Sequence, residues 1–292
     1  MQAQDLITLW PIGKMPNSRG LVLTDSIANE RIYRVSMPRL RAFLPSSQEN
    51  KGSAVIIFPG GGYERLAYIT SGVQLAKWFN IMGVAAFVLD YRLPNSPDLL
   101  HREIGPLQDA QRALRIVRSQ AASWGIKADR IGVLGVSAGG HLATTLGTHM
   151  EDVSACGDSL DTVSFAPDFM ILVSPVVTMG RYTHAGSRKN LLGEHPAEEM
   201  VAKYSNETQV TSKTPPTFIV HAFNDKAVPL QNSLQLYEAL VEKNVPSSFH
   251  VFPQGAHAIA LRNNPGSTEL WTSLCEQWMN EMGFMAPVVD KR

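Results

Sequence analysis

Apolar residues along this chain follow two alternating patterns. Short apolar, often β-branched runs predict buried strands, and the longer segments between them, with apolar residues every three or four positions, predict helices. The strand-like runs fall at 53–58, 84–89, 129–134, 169–173, 218–221 and 249–252, and the helical segments at 71–82, 107–124, 140–146, 230–243 and 268–282. This alternation predicts an α/β fold with a mostly parallel central sheet flanked by helices on both faces.

The same pattern predicts finer features at three places. On the predicted helix 230–243, which follows the 218–221 strand, we expect Leu234, Tyr237 and Val241 to point inward. Residues 21–44 favour antiparallel strands ahead of the parallel part. Residues 181–214 are polar and lack a clear period over much of their length, so we expect a lid-like excursion over the carboxyl edge of the sheet.

Composition narrows the functional classes. The 292 residues carry 26 basic and 26 acidic side chains, and no basic run stands out, so nucleic acid is not an expected partner. No stretch approaches the ~20 apolar residues of a membrane span, and the first residues lack the features of a signal peptide. Cys156 and Cys275 allow one pair at most, and we expect two thiols in apolar sites. No repeat or linker divides the chain, which favours a single domain over 1–292.

The most informative segment is Gly135-Val136-Ser137-Ala138-Gly139, which lies between a predicted strand and a predicted helix. Strand, G-x-S-x-G and helix in this order form a nucleophile elbow, a tight turn that holds a serine hydroxyl at the tip of a sheet. The glycines are required because the turn brings two backbones too close for Cβ atoms. This context predicts that Ser137 is a nucleophile.

A nucleophilic serine needs a base within hydrogen-bond reach. His257 follows the last predicted strand, beside Gly255, which permits a sharp turn back over the sheet edge. Three other histidines lie within predicted helices or strands and are expected to be structural: His141, His221 and His250. We therefore predict His257 as the catalytic base.

The acid that orients the base is predicted from its position. Asp225 follows the 218–221 strand, where a carboxylate can meet an imidazole from the next loop, and the order serine, aspartate, histidine is that of this fold type. After the preceding strand, 169–173, the next carboxylate is as far away as Glu194. Asp90 also ends a strand, but it precedes the serine in the chain and is expected to be structural.

Backbone N–H groups must stabilise the oxyanion that forms during acyl transfer. One is predicted to be the N–H of Ala138, at the positive end of the elbow helix. The second is expected from Gly61 or Gly62, in a glycine loop that resembles the HGGG loop of esterases with Pro59 in place of histidine. Tyr63 follows this loop, and we expect its ring to line the substrate pocket.

With these residues in hand, the chain resembles the α/β-hydrolase superfamily, and within it the carbohydrate esterases known as acetyl xylan esterases or bifunctional acetyl xylan/feruloyl esterases. The resemblance covers most of the chain. Besides the motifs above it rests on Leu9-Trp10-Pro11, Asp90-Tyr91-Arg92, Asp109-Ala110-Gln111-Arg112, Trp124-Gly125-Ile126, Gly140-His141-Leu142 and Pro215-Pro216-Thr217.

The resemblance implies hydrolysis of small acyl esters, acetyl or feruloyl, on plant cell-wall carbohydrate, without a cofactor or metal. It favours a secreted or periplasmic location with the leader absent from this chain, while a cytoplasmic one stays open. Relatives often carry glycine after the catalytic histidine, where this chain has Ala258.

The sequence leaves two alternative functions open. A peptidase of the prolyl-oligopeptidase type shares the fold and triad order, but it usually carries a large propeller or cap, for which 292 residues leave no space. A catalytically inactive α/β-hydrolase scaffold that serves as a binding module commonly lacks a triad member, whereas here all three positions are filled.

Overall fold

The computed structural model describes residues 6–257 and 259–285, and within them the main sheet has eight strands. The strands in chain order are β1 (Leu6–Thr8), β2 (Ser26–Ala28), β3 (Arg31–Arg34), β4 (Arg39–Phe43), β5 (Ala54–Phe58), β6 (Ala85–Asp90), β7 (Ile131–Val136), β8 (Met170–Val173), β9 (Thr217–Ala222) and β10 (Ser247–Phe252). The helices are α1 (Gln74–Ile81), α2 (Gly105–Ser119), α3 (Ala138–Thr148), α4 (Ala185–Leu192), α5 (Glu198–Lys203), α6 (Gln231–Glu242) and α7 (Trp271–Glu281).

The strand order across the main sheet is β1-β4-β6-β5-β7-β8-β9-β10. The pairs from β6 to β10 are parallel, whereas β1 with β4 and β4 with β6 are antiparallel. The strands β2 and β3 form a separate antiparallel hairpin. This topology confirms the predicted α/β fold with its antiparallel start, although the three-residue edge strand β1 was not predicted.

Each face of the sheet packs against its own set of helices. Along β5, Ile56 and Phe58 belong to a core shared with α2, α3 and α6, while Val55 and Ile57 belong to a core shared with α1 and α7. All five β5 residues are buried, as expected for a central strand covered on both faces. Because β7, β8, β9 and β10 are parallel neighbours, their carboxyl ends lie at the same edge of the sheet, and the loops that follow them lie next to one another.

The predicted inward face of α6 is wrong at two of its three residues. Leu234 and Val241 are 44% and 53% exposed, whereas Tyr237 is partly buried and packs against the core. The helix instead buries Asn232 and Ser233, together with Leu236 and Leu240. These two polar side chains have buried partners, since Asn232 Oδ1 accepts the N–H groups of residues 177 and 178 and Ser233 Oγ bonds to a histidine of β9. The prediction of a helix was correct, but its inward side also carries polar residues, which form hydrogen bonds with neighbouring buried groups.

The excursion over 181–214 contains α4, α5 and a 3₁₀ turn, Asn206–Gln209. Its last part is fastened to α3, because the buried Asn206 donates from Nδ2 to Thr144 Oγ1 at 2.8 Å and to Thr145 Oγ1 at 3.0 Å. Its first part, α4, buries only Ser187 and Leu191. The lid-like role of this segment stays a prediction.

Two findings bear on the expectations from composition. Cys156 and Cys275 are free thiols, of which Cys275 is buried in the core shared with α7. In the part of the chain that the structure describes, no helix is both long and apolar enough to cross a membrane.

Candidate active site

The turn between β7 and α3 has the geometry that the G-x-S-x-G pattern predicts. Ser137 has φ +55° and ψ −120°, a conformation that few non-glycine residues adopt. A Cβ on Gly135 would lie 2.2 Å from the Gly139 carbonyl oxygen, and a Cβ on Gly139 would lie 2.0 Å from the Phe58 carbonyl oxygen. Both glycines are therefore required for the strand and helix to approach this closely.

Three side chains from three loops meet at this turn. The Ser137 hydroxyl lies 2.9 Å from Nε2 of His257, and Nδ1 of His257 lies 2.7 Å from Oδ2 of Asp225. Ser137 follows β7, Asp225 follows β9 and His257 follows β10, so the parallel sheet brings together residues up to 120 positions apart. A chain of this kind lets the imidazole accept the serine proton while the carboxylate fixes its tautomer.

The carboxylate of Asp225 is buried and fully hydrogen-bonded. Its Oδ1 accepts the N–H groups of Ala227 and Val228, each at 2.9 Å, and Nε2 of His221 lies 3.4 Å from its Oδ2. Burial by itself raises the pKa of Asp225, but the hydrogen bonds from His221, His257 and Val228 outweigh it and hold the pKa well below its usual range. The side chain is therefore an anion throughout the neutral range, next to His257.

The glycine loop after β5 packs directly against the elbow. A Cβ on Gly60 would lie 2.8 Å from the Val136 carbonyl oxygen, so only glycine fits there. The Gly60 N–H already donates to Ser71 Oγ at 3.1 Å. Gly61 and Gly62 have φ values of +135° and +66° and line the same pocket as Ser137. These two glycines and Ala138, the first residue of α3, stay our predicted oxyanion donors.

The prediction that Tyr63 lines the substrate pocket is wrong. Its side chain is 1% exposed, and it is absent from the described residues that line the pocket. The ring turns into the core, where its hydroxyl lies 2.9 Å from Nδ1 of His141, and His141 Nε2 donates to the Tyr204 carbonyl oxygen at 2.8 Å. Burial lowers the pKa of His141 to about 4, so this histidine is a neutral structural group, as predicted.

A pocket of about 700 Å³ opens above Ser137 and His257. One wall is the glycine loop, and another comes from the 181–214 excursion, which contributes His184, Gly186 and Asn190. These three residues were not predicted, because a polar segment without helical or strand periodicity does not indicate which of its side chains face a site. Ala258, which follows His257, lies outside the described residues.

Comparison with known proteins gives an independent view of the chain. The profile of the BD-FAE family matches residues 40–240, which include the glycine loop, the elbow and Asp225. The chain belongs to the BD-FAE family. The α/β-hydrolase fold and the resemblance to acetyl xylan esterases that the motifs predicted are confirmed.

The relatives of this BD-FAE chain include two much longer proteins. The chain is 36% identical to endo-1,4-beta-xylanase B of Butyrivibrio fibrisolvens, over 81% of this chain and 37% of the relative. It is 31% identical to the acetylxylan esterase of Xylanibacter ruminicola, over 82% of this chain and 46% of the relative. The matched part of the chain thus covers less than half the length of either protein.

A solved structure matches the BD-FAE chain over nearly its full length. It is the acetyl ester-xyloside bifunctional hydrolase from Caldicellulosiruptor lactoaceticus, with a TM-score of 0.82 and 36% identity. The match covers 97% of this chain and 98% of that one.

One group of possible metal ligands occurs among the described residues, away from the pocket. Donor atoms of Cys156, Asp158 and Asp161 lie within 4.8 Å of one another. However, Asp158 pairs with the Arg112 guanidinium at 2.5 Å, and Asp161 accepts the N–H groups of Cys156 and Gly157. The hydrogen bond from Arg112 holds the pKa of Asp158 well below its usual range. The cluster thus serves to close a turn over α2.

Proposed function

We propose that this protein is a serine esterase that removes acetyl groups from plant cell-wall carbohydrate such as xylan. The observation that carries the proposal is the hydrogen-bonded chain Ser137–His257–Asp225 at the floor of an open pocket. The resemblance to proteins named for acetylxylan and acetyl ester-xyloside hydrolysis supports the substrate class.

In the proposed mechanism, His257 Nε2 takes the proton of Ser137 as its Oγ attacks the ester carbonyl carbon. The backbone N–H of Ala138, with that of Gly61 or Gly62, stabilises the oxyanion of the tetrahedral intermediate. Collapse of the intermediate breaks the bond to the alkoxy oxygen, and His257 protonates that oxygen, so the sugar leaves with a free hydroxyl group. Water then gives a proton to His257 and attacks the acyl-enzyme, and the carboxylic acid leaves as Ser137 regains its proton.

The test compares four substrates with one preparation: p-nitrophenyl acetate, acetylated xylan, methyl ferulate and a dipeptide p-nitroanilide. We expect release of acetate from xylan to exceed hydrolysis of the amide by orders of magnitude. Dominant turnover of the amide would favour the peptidase alternative, and dominant turnover of methyl ferulate would make feruloyl esters the preferred substrates.

The role of the serine is tested separately. Ser137→Ala should lower kcat by about 10⁴-fold or more and abolish labelling by a fluorophosphonate probe. Ser123→Ala, at an exposed serine far from the elbow, is the matched control and should keep both. A Ser137→Ala protein with near-full turnover would rule out the mechanism, and a wild-type chain that the probe does not label would favour the inactive scaffold.

A further inference from the structure

The wall of the pocket formed by α4 carries two polar side chains that the acyl-transfer mechanism does not use. His184 immediately precedes α4, and Asn190 lies in its second turn. Both line the pocket that contains Ser137 and His257. Asn190 bonds to the Gly62 carbonyl oxygen, and a Cβ on Gly62 would lie 3.7 Å from Cε1 of His184. They therefore lie next to the glycine loop, in the pocket proposed to hold the ester.

The tautomer of His184 follows from its role as the N-cap of α4. Its Nδ1 accepts the backbone N–H of Ser187 at 3.1 Å and also lies 2.9 Å from the Ser187 hydroxyl. A ring nitrogen that accepts an N–H carries no proton, so the neutral ring has its proton on Nε2. Burial lowers the pKa of His184, and the nearby His257 lowers it further, which keeps the ring neutral. Across residues 6–257 and 259–285, Nε2 has no hydrogen-bond partner.

The orientation of Asn190 is fixed in the same way. Its amide lies 2.8 Å from the carbonyl oxygen of Gly62. A carbonyl oxygen can only accept, so the amide must present Nδ2 there, which leaves the other end of the amide, Oδ1, as an acceptor. This Oδ1 likewise lacks a partner among the residues that the structure describes.

We propose that His184 and Asn190 form a subsite that binds a free hydroxyl group of the carbohydrate portion of the ester, next to the glycine loop. The subsite offers one donor, His184 Nε2–H, and one acceptor, Asn190 Oδ1. A hydroxyl both donates and accepts, so its hydrogen-bonding capacity matches the two groups of the subsite. Neither of the two side chains is charged, so the subsite itself suits a neutral hydroxyl group rather than an ion. Three charged residues also line the pocket, Arg31, Glu64 and Arg65, of which Glu64 and Arg65 pair with each other at 2.6 Å.

The proposal rests on the proposed esterase function for its kinetic test, which uses two secondary acetates of similar size. A monoacetate of methyl β-xyloside keeps two free hydroxyls, and cyclohexyl acetate has none. His184→Asn keeps a favoured N-cap residue for α4 but removes the distal N–H. We expect the ratio of kcat/KM for the xyloside to that for cyclohexyl acetate to fall about fivefold to tenfold.

The matched control is Lys189→Ala on the same helix, because the exposed Lys189 pairs with Glu194 and does not line this pocket. This variant should keep the wild-type ratio, and both variants should keep the wild-type Tm. An unchanged ratio in His184→Asn, or an equal loss on both esters, would overturn the subsite.

A binding measurement separates this subsite from the proposed function. In the Ser137→Ala background, calorimetry with the xyloside monoacetate should give a Kd that His184→Asn weakens by the same fivefold to tenfold. Equal Kd values with and without His184→Asn would overturn the subsite even if the enzyme is an esterase. Conversely, a wild-type chain that hydrolyses neither ester would refute the esterase, while the binding comparison would still decide the subsite.

Discussion

The two sides of the pocket are built differently. On the sheet side, Ser137 and Asp225 follow strands whose residues are almost all buried, and His257 follows the last strand of the sheet. On the other side, α4 is eight residues long and buries two of them. Of the groups proposed to break the ester, Ser137 and Asp225 are thus fixed by the core and His257 is held by its hydrogen bond to Asp225, whereas those proposed to select the alcohol lie on a lightly packed helix.

The difference suggests a division of labour within one site. Acyl transfer needs its groups held to within a fraction of an ångström, which strand ends in a close-packed core provide. Selection among sugars needs only a few hydrogen bonds, which a peripheral helix can supply and which can change without harm to the core. Substitutions on the sheet side should therefore abolish turnover, and those on the α4 side should modulate it.

The largest effect is expected on the sheet side, at Asp225. In Asp225→Asn the geometry is kept, but the amide cannot fix the tautomer or stabilise the positive charge of His257, so kcat for p-nitrophenyl acetate should fall about 10⁴-fold. Asp129→Asn is the control. Asp129 is exposed and lies two residues before β7, at the end of the strand away from Ser137, so kcat should stay within about twofold of wild type. A loss of less than tenfold in Asp225→Asn would mean that the carboxylate does not act through His257.

The sheet side was also the predictable one. The positions of Ser137, Asp225 and His257 followed from where strands end, since parallel neighbours meet at one edge regardless of the loops between them. The need for Gly135 and Gly139 followed from the tightness of the turn. Neither inference required knowledge of how any helix is rotated.

The features that could not be predicted depend on how a helix is rotated about its axis, or on loops whose sequence shows neither helical nor strand periodicity. The inward face of α6 was predicted incorrectly because it carries Asn232 and Ser233, which a hydrophobic pattern assigns to the solvent-exposed side. Tyr63 was placed in the pocket because it follows the glycine loop, yet His141, 78 positions away, provides its partner in the core. His184 and Asn190 gave no signal, because polar residues in an aperiodic segment resemble any exposed loop.

A second prediction concerns His141, which joins the two sides. The neutral ring links the glycine loop, through Tyr63, to the excursion, through the Tyr204 carbonyl. Burial lowers its pKa from 6.5 to about 4, so between these pH values the unfolded chain binds a proton that the folded chain does not. This group's contribution is complete above pH 6.5 and is lost as the pH falls toward 4, by roughly 3 kcal/mol in the free energy of unfolding.

Urea unfolding at a series of pH values would measure this contribution. His141→Gln should be less stable than wild type at pH 7 but should lose less stability between pH 6.5 and 4, whereas the exposed His195→Gln should follow the wild-type curve. Hydrogen exchange at pH 5 should increase in the excursion before it increases in β7. Parallel pH curves for wild type and His141→Gln would contradict the prediction.

On the α4 side, Asn190 tests whether the helix positions the glycine loop. Asn190→Asp is nearly isosteric, but a carboxylate cannot donate to the Gly62 carbonyl oxygen and instead repels it. We expect kcat to fall about tenfold for every ester, with or without hydroxyl groups, because the displaced loop carries the proposed oxyanion donors. Lys189→Ala serves again as the control. A loss confined to sugar esters would assign Asn190 to alcohol binding alone.

The smallest effect is expected at Tyr63, between the two sides. Tyr63→Phe removes the hydroxyl that donates to His141 Nδ1, but the Thr145 hydroxyl, which donates to the His141 carbonyl oxygen at 2.8 Å, lies 3.5 Å from the same nitrogen and can turn to it. The free energy of unfolding should therefore fall by only about 1 kcal/mol. KM for p-nitrophenyl acetate should not change, since the ring lies behind the pocket wall and not in it. A changed KM at unchanged stability would place the ring in contact with substrate, so that Tyr63 would line the pocket despite its buried position.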